Sequence, residues 1–253
     1  MQITSFTISE PGSRDYNEDA YGDAELMAGR CLIVADGAGG HRGGAIASKV
    51  VVDAALLHLA AASSWGNSTL ADAIDAASLA VRRRQAEETW LARMSSTVAL
   101  LCIDAAKASA CWAHLGDSRV LFFRRGNVQQ LTRDHSVIQS LTDAGLLNGE
   151  STMRGMDRTT LYAAVGAEGD TRPVTGEGME LADGDAFILC SDGVWDTVAA
   201  EHMASLLGFA GTVREWVELI GSEVRKVAKS NQDNYTAVGV WIGSPEQITV
   251  TRV

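Results

Sequence analysis

The chain has 253 residues, of which 46% are hydrophobic and 21% are charged, so it is long enough to bury the core of one large domain. Its formal net charge of −11 opposes binding to nucleic acid or to an anionic membrane, because both select for a basic face. Three prolines, no low-complexity tract and no repeat with a period of roughly 20 to 50 residues predict a single domain over residues 1–253 and exclude a solenoid.

The N-terminal residues lack the basic segment and the apolar core of a signal peptide. No apolar run approaches the roughly 20 residues that cross a bilayer, so we expect a cytoplasmic protein that does not enter a membrane. The cysteines lie in apolar strand-like runs without Cys-x-x-Cys spacing, which predicts buried, reduced thiols rather than disulfides or zinc ligands. They are Cys31, Cys102, Cys111 and Cys190.

The first part of the chain predicts two strands and two helices. Residues 2–8 alternate as a strand, and a polar, charged loop follows up to Asp19. An apolar run over residues 32–35 predicts a buried strand that ends on Asp36. Residues 43–62 and 69–90 have helical periodicity, and Thr69 with Asp72 resembles a capping pair in the second helix. The predicted buried stripes are Ile46, Val50, Ala54, Leu57 and Ala61 in the first helix, and Leu70, Ile74, Ala77 and Val81 in the second.

The middle of the chain predicts strands over residues 97–103, 108–115, 120–124 and 128–131. Their connections are too short for parallel crossovers, which need about a dozen residues or more, so the strands are expected to be antiparallel. This excludes a dinucleotide-binding fold. The connection at residues 116–118 is interpreted as a hairpin with Asp117 at its apex, for which turn chemistry alone is a sufficient reason.

The last part of the chain begins with Asp134-His135-Ser136 and a short helical pattern up to about residue 144. We interpret residues 134–170 as a flap, because residues 145–160 are polar and contain glycines and the arginines Arg154 and Arg158. A strand over residues 185–191, a helix opened by Thr212 with Glu215 at the capping-box position, and a strand over residues 235–242 follow. The predicted buried stripe of this helix is Val213, Trp216, Val217, Ile220, Val224 and Val227.

The chain uses one construction twice. An apolar strand ends on Asp36-Gly37, and a second one, far along the chain, ends on Asp192-Gly193. A single Asp-Gly pair after a strand is an ordinary turn. Two strands that each present a carboxylate at their ends suggest a shared carboxylate site, and the negative net charge is compatible with a cluster of acids that holds cations.

These motifs, taken in order, resemble those of the bacterial PPM-family metal-dependent serine/threonine protein phosphatases, which are type 2C-like. The resemblance spans residues 12–238 and implies an α+β fold, a four-layer α-β-β-α sandwich of two stacked antiparallel sheets flanked by helices. It also implies a dinuclear metal site at one end of the sandwich. The motifs are Arg14-x-x-Asn17-Glu18-Asp19, Ala35-Asp36-Gly37-x-Gly39-Gly40-His41, Gly116-Asp117-Ser118-Arg119, Leu131-Thr132-x-Asp134-His135-Ser136, Ser191-Asp192-Gly193-x-Trp195-Asp196 and Asp233-Asn234.

The resemblance implies a role for each acidic residue. Asp36 would bridge two metal ions, the carbonyl of Gly37 would bind one of them, and Asp192 and Asp233 would bind the other. Asp117 would help Asp192 to hold a third, weaker ion. Because all of these donors are oxygens, Mn²⁺ or Mg²⁺ suits the site better than Zn²⁺.

Three further residues receive roles from the same resemblance. Glu18 and Asp19 would orient water molecules at the metals. Arg14 would bind the substrate phosphate, for which its planar guanidinium offers two donors where a lysine is only a point charge. Two ions about 3.5 to 4 Å apart activate a bridging water for attack on phosphorus, so no covalent nucleophile is required.

Two features depart from the family pattern. Ala38 stands where eukaryotic members have a histidine that is thought to protonate the leaving alkoxide, so this proton must come from elsewhere. A water on a metal is the preferred donor, and His41 is an alternative donor or simply orders its loop by hydrogen bonding. The usual Gly-Thr-Thr appears as Ser95-Ser96-Thr97, a change that removes no ligand.

The leading hypothesis is an enzyme, a protein-serine/threonine phosphatase that opposes a bacterial Ser/Thr kinase in signal transduction. Its partners would be phosphorylated proteins, including the kinase and its targets, and we expect a monomer. One alternative is a catalytically silent scaffold that binds a kinase, whose signature would be the loss of metal-binding acids. The other alternative is a hydrolase of small phosphate esters.

Overall fold

The computed structural model describes residues 1–39, 42–146, 160–168, 172–176, 178–227 and 231–243. Two antiparallel sheets are stacked face to face, and helices cover the outer face of each sheet. This is the four-layer α-β-β-α sandwich expected from the motifs. The strands are β1 Ile3–Glu10, β2 Asp19–Leu26, β3 Gly29–Ala38, β4 Ser95–Ser96, β5 Val98–Asp104, β6 Ser109–Leu115, β7 Arg119–Arg124, β8 Asn127–Gln130, β9 Val174–Thr175, β10 Met179–Glu180, β11 Ala186–Cys190 and β12 Tyr235–Ile242.

The helices lie between these strands in the sequence and on the outside of the sheets in space. Helices α1 and α2 pack together, α1 on β2 and β3 and α2 on β6, whereas α6 packs on β1 and β12. A 3-10 helix spans Thr89–Leu91. The α-helices are α1 Gly43–Ala60, α2 Asn67–Glu87, α3 Val137–Asp143, α4 Asp192–Trp195, α5 Ala200–Leu207 and α6 Val213–Val227.

One sheet has the strand order β1-β12-β11-β7-β8, and the other has the order β10-β6-β5-β3-β2, with β4 paired to β3 and β9 to β6. The long strands alternate their side chains between two apolar layers. In β3, Cys31, Ile33 and Ala35 pack toward the helices α1 and α2. Leu32 and Val34 point the other way, into the layer between the two sheets. A third apolar layer lies between α5 and α6 and the sheet that contains β7, β11 and β12. Both faces of each sheet are therefore covered.

Several predictions from periodicity are confirmed. The stripe of Leu70, Ile74, Ala77 and Val81 is buried in α2, and the last strand has the predicted bounds. All the cysteines are buried and free. In α6, Thr212 Oγ1 accepts a 3.1 Å hydrogen bond from the Glu215 amide, but the Glu215 carboxylate accepts from the Gly211 amide, one residue earlier than in a standard capping box.

Three local predictions are wrong. In α1 the buried stripe includes Ala47, Val51, Ala55 and Leu59, whereas Leu57 is 75% exposed. Small and apolar residues occur on most sides of this helix, so their spacing in the sequence does not indicate which face is buried. Thr69 and Asp72 do not cap α2, which begins two residues earlier, at Asn67. Val227, at the last position of α6, is exposed.

The hairpin interpretation of Asp117 is also wrong. The preceding strand β6 pairs with β5, and the following strand β7 pairs with β11 in the opposite sheet. Residues 116–118 therefore cross from one sheet to the other. Asp117 therefore lies on a connection between the two sheets. The chemistry of a hairpin turn does not explain this position.

Helix α1 is long and apolar enough to span a membrane by length and composition, with a mean hydropathy of 1.4. It is the only such helix among the described residues. Its buried residues pack on β2, β3 and α2. A helix in the core of a globular domain can have the same length and hydropathy. Of the flap predicted over residues 134–170, residues 147–159 and 169–170, with Arg154 and Arg158, lie outside the described part of the chain.

Candidate metal centre

Five aspartates meet at one end of the sandwich because of how the strands pair. Asp19 begins β2 directly opposite Asp36 in β3. Strands β11 and β12 are antiparallel neighbours, so the residues after the first and before the second lie close together. These residues include Asp192 and Asp233, and Asp117 arrives from the crossing between the sheets. The sequence-predicted acidic residues are therefore brought to one place.

Asp36 is held through its backbone by the strand pair β3 and β4. Its carbonyl accepts 2.8 Å hydrogen bonds from the Thr97 amide and from Ser96 Oγ, and its amide donates to Thr97 Oγ1 at 3.0 Å. Thr97 Oγ1 is in turn 2.6 Å from Ser118 Oγ. Ser96 and Thr97 thus supply the hydroxyls that fix Asp36.

Asp19 is buried, and Ser191 Oγ donates a 2.7 Å hydrogen bond to its Oδ2. The other carboxylate oxygen, Oδ1, is buried without a hydrogen-bond partner among the described residues. Burial is the main cause that raises the pKa of Asp19 to about 7. An unpartnered buried carboxylate oxygen beside other acids is an unfavourable arrangement unless a cation or a water satisfies it.

The acids raise one another's pKa values. Burial, and then the charges of Asp19 and Asp192, raise the pKa of Asp36 well above its usual range. Burial and the charge of Asp233 raise the pKa of Asp192 to about 6, although a hydrogen bond with the Asp36 side chain opposes this shift. Burial and the charge of Asp192 raise the pKa of Asp117 to about 7. The cluster therefore favours any partner that brings positive charge.

The donor chemistry fits hard divalent cations. The cluster offers carboxylate and carbonyl oxygens, and Asp19 leaves one buried oxygen unpartnered. Among the described residues, no three acidic, histidine or cysteine side chains form a ready-made metal site. Like charges repel at short range, so a closed ligand shell from these aspartates needs the cations themselves.

Arg14 reaches the site from the loop before β2, and its Nη2 donates a 2.9 Å hydrogen bond to Asp233 Oδ2. Gly12 makes this approach possible. It has φ +60°, and a Cβ at this position would lie 2.1 Å from the Asp233 carbonyl oxygen. Only glycine fits there, and the fit places the phosphate-binding candidate Arg14 beside a metal-ligand candidate.

Gly37 lies where the start of α1 comes closest to β3. A Cβ on Gly37 would be 2.0 Å from the Gly44 carbonyl oxygen, and a Cβ on Gly44 would be 2.7 Å from Glu18 Oε1. The Gly37 amide donates to the Glu18 carbonyl at 3.2 Å, and Asn234 Oδ1 accepts from the Glu18 amide at 2.8 Å. The structure therefore places Glu18 next to Gly37. This close approach is possible because Gly37 and Gly44 have no side chains.

The segment that carries Asp117 is held from two sides. Gly116 and His135 exchange two hydrogen bonds, from the Gly116 amide to His135 Nδ1 and from the His135 amide to the Gly116 carbonyl. Trp195 Nε1 donates to the Asp117 carbonyl at 3.0 Å. The Arg119 guanidinium lies 3.6 Å from the centre of the Trp195 ring and forms a bidentate ion pair with Asp134.

Ala38 is exposed next to these acids and carries no ionisable group. His41 and Gly40 lie outside the described residues, so the alternative roles of His41 stay predictions.

Sequence reasoning missed several residues that position the acids. Ser191 joins Asp19 to β12, because its Oγ also accepts a 3.0 Å hydrogen bond from the Thr236 amide. Asn234 donates from Nδ2 to the carbonyls of Pro11 and Tyr16 and so ties the Arg14 loop to β12. Ser191 and Asn234 lie within the motifs, next to Asp192 and Asp233. This position in the sequence could have identified them.

Comparison with known proteins agrees with this geometry. A family model described as protein phosphatase 2C matches residues 12–230. The serine/threonine protein phosphatase PstP of Mycobacterium tuberculosis is 31% identical over 228 residues, which cover 89% of this chain and 42% of PstP. The serine/threonine phosphatase stp of Listeria welshimeri is 29% identical, over 89% of this chain and 90% of stp.

A solved structure, the catalytic domain of PstP in complex with two manganese ions, superposes on this chain with a TM-score of 0.82. The two are 26% identical, and the match covers 96% of this chain and 99% of that domain. The chain spans less than half of the full length of PstP. The family model, the relatives and the shared fold all agree with the order of the motifs, and this chain belongs to the protein phosphatase 2C family, the PPM phosphatases.

Proposed function

We propose that this chain hydrolyses phosphoserine and phosphothreonine in proteins and depends on divalent metal ions for this activity. The observation that carries the proposal is the convergence of Asp36, Asp192 and Asp233 with Arg14, which supplies the donors for cations beside a donor for phosphate. The named activities of PstP and stp support it, as does the PstP domain that was solved with manganese.

Each residue has a role that follows from its chemistry. Asp36, Asp192, Asp233 and the Gly37 carbonyl would hold two cations, which supply positive charge and an activated water when bound. Arg14 binds two oxygens of the phosphoryl group through its planar guanidinium and orients phosphorus toward the acids. Ser191 and Thr97 keep Asp19 and Asp36 in place.

The remaining roles concern water and protons. Glu18 and Asp19 lie next to Gly37 and Asp36 and would accept hydrogen bonds from water in the site. The exposed methyl group of Ala38 donates no proton, so a water held in the site would protonate the leaving alkoxide, with His41 as the alternative donor.

We propose Mn²⁺ or Mg²⁺ as the metal, because hard cations of this size accept an all-oxygen ligand set. Asp117 and Asp192 would share a third, weaker ion, and the effect of the Asp192 charge on the Asp117 pKa supports their proximity. We also propose a monomer in the bacterial cytoplasm that acts on a Ser/Thr kinase and the targets of that kinase. The net charge of −11 supports the absence of nucleic-acid and membrane partners.

Two alternatives differ in what they require. A silent scaffold would have lost acids of the metal centre, and this chain keeps all of them. A hydrolase of small phosphate esters would need the same residues, so only the substrate distinguishes it.

The test is phosphate release from a phosphothreonine peptide, with Mn²⁺ and then with excess chelator. We expect turnover with Mn²⁺ and none with chelator, and no turnover by a matched Asp36→Asn variant. Full turnover in chelator would contradict the metal-dependent function. A rate constant kcat/KM for the peptide no higher than that for p-nitrophenyl phosphate would favour the small-ester alternative.

A further inference from the structure

An arginine and a tyrosine are stacked at the rim of the metal centre. The guanidinium carbon of Arg42 lies 4.6 Å from the centre of the Tyr16 ring. Tyr16 stands in the loop that carries Arg14, and its carbonyl accepts a hydrogen bond from Asn234. Arg42 immediately precedes Gly43 and Gly44, of which Gly44 is in contact with Gly37 and Glu18. The stack therefore joins the two segments that enclose one side of the site.

The backbone of Arg42 is in an unfavourable conformation for its side chain. It has φ 70° and ψ 7°, in the left-handed region, which favours glycine. Its side chain does not cap α1, although its carbonyl accepts the first helical hydrogen bond, from the Ile46 amide. A residue held in this region at the edge of an active site suggests that the side chain itself has a use.

The Arg42 guanidinium is exposed, and it forms no ion pair with any residue in the described ranges. The guanidinium lies over the Tyr16 ring, which fixes its direction and leaves its N–H groups without an ion-pair partner in the described part of the chain. By contrast, Arg14 is already engaged with Asp233. Arg42 is thus a positioned donor that has room for an anionic partner.

Electrostatics indicates which partner that is. A phosphorylated residue and acidic residues near it carry negative charge, and this chain also has a net charge of −11 and a cluster of acids in its metal centre, which repels them. A guanidinium at the rim offsets this repulsion and binds carboxylates or phosphates through paired N–H donors. Arg14 already lies beside the metal-ligand candidate Asp233, where the reacting phosphate would bind, so Arg42 is assigned to a second anion.

We infer that Arg42, stacked on Tyr16, forms a second anion-binding position that selects substrates with an acidic or phosphorylated side chain close to the phosphoresidue. This inference rests on the proposed phosphatase function. It assigns substrate selection to two residues outside the metal centre and makes Arg42 a residue for specificity and not for chemistry.

The test compares two phosphothreonine peptides that differ only in their flanking residues, which are glutamate in one and glutamine in the other. For the wild-type protein with Mn²⁺ at low salt, we expect kcat/KM to be about three- to fivefold higher for the glutamate peptide, mainly through KM, because an exposed ion pair has an effect of this order. The preference should shrink as salt is added.

The variant Arg42→Gly removes the guanidinium and suits φ 70°, so it is not expected to disturb folding. We expect it to hydrolyse both peptides with equal kcat/KM. The matched control is Arg214→Ala, since Arg214 is an exposed arginine stacked at 4.1 Å on Phe6, on the α6 side of the molecule. This control should keep the full preference for the glutamate peptide.

The outcomes separate this inference from the function on which it rests. A glutamate preference that persists in Arg42→Gly, or equal rates for both peptides in the wild-type protein, would overturn the inference alone. An equal loss of kcat/KM by Arg42→Gly on p-nitrophenyl phosphate would also overturn it, because that substrate has no second anion. Failure of the wild-type protein on both peptides, with p-nitrophenyl phosphate still hydrolysed, would overturn the proposed function as well.

Discussion

Arg14 donates a 2.9 Å hydrogen bond from Nη2 to Oδ2 of Asp233, which joins the candidate phosphate-binding residue to a candidate metal ligand. The two side chains are 58% and 43% exposed, so solvent screens this ion pair and its contribution to stability is small. A weak, exposed pair is easily exchanged. Under the proposed function, a cation on Asp233 would make the guanidinium available to the substrate phosphate, so the pairing would hold Arg14 near the place of its proposed role.

The variant Arg14→Ala is expected to raise KM for a phosphothreonine peptide by more than it lowers kcat. An arginine that binds the phosphate in both the ground state and the transition state contributes mainly uniform binding. Steady-state kinetics at saturating Mn²⁺ measures both constants. A fall in kcat with an unchanged KM would instead assign Arg14 to the transition state.

The variants Asp36→Asn and Asp233→Asn are expected to lower kcat/KM by at least about a hundredfold and to leave the fold intact. Each substitution removes a ligand charge but almost no volume, and the backbone contacts of Asp36 do not involve its carboxylate. Circular dichroism checks the fold, and calorimetric titration with Mn²⁺ counts the bound ions. Two ions bound with wild-type affinity would contradict the ligand assignment.

The variant Asp117→Asn tests the third, weaker ion. Loss of one negative charge should release this ion and leave the two inner ions bound, which gives a folded but slow enzyme. Burial and the nearby charge of Asp192 raise the pKa of Asp117, and this placement beside a second acid favours the metal-binding outcome over a purely structural turn. Calorimetry and kcat at saturating Mn²⁺ provide the measurement. Two bound ions and a kcat within about twofold of wild type would indicate that Asp117 has only a structural role. A twofold change in kcat corresponds to a difference of under roughly 0.5 kcal/mol in the activation barrier.

The metal-free protein should lose stability as pH rises, and Asp19→Asn should remove part of this loss. The pKa of Asp19 is raised to about 7 by folding, mainly through burial. A raised carboxyl pKa means that its stabilising contribution is complete below the unfolded value, about 3.9, and is lost as pH rises through about 7. In chelator, the melting temperature of Asp19→Asn relative to wild type should therefore increase between pH 5 and pH 8.

We expect this increase to correspond to about 1–3 kcal/mol, which is a few degrees for a domain of this size. Wild-type protein loaded with Mn²⁺ serves as the reference, since bound cations favour the ionised carboxylate and should reduce the difference. If the melting temperatures of Asp19→Asn and wild type differ by the same amount at pH 5 and pH 8, ionisation of Asp19 does not cause the loss of stability.

Much of the fold was predictable because its information is local. The bounds of the last strand and the apolar stripe of α2 follow from neighbouring residues, and both appear in the structure as predicted. Asp36 lies near the end of β3, which continues two residues further than predicted, and Asp192 follows closely after β11. Helix α1 shows the limit of this reasoning, because a helix that is apolar on most sides has no preferred face until it is packed.

By itself, then, the sequence determined the strand and helix segments, the ordered motifs and the set of acids that make up the candidate site. Only the tertiary structure decided that residues 116–118 join two sheets, that Ser191 donates to Asp19 and that Arg42 stacks on Tyr16. The physical reason is range. Periodicity and turn chemistry act over a few residues, whereas these contacts join groups far apart in the chain and depend on strand register, sheet stacking and the close approach that glycine permits.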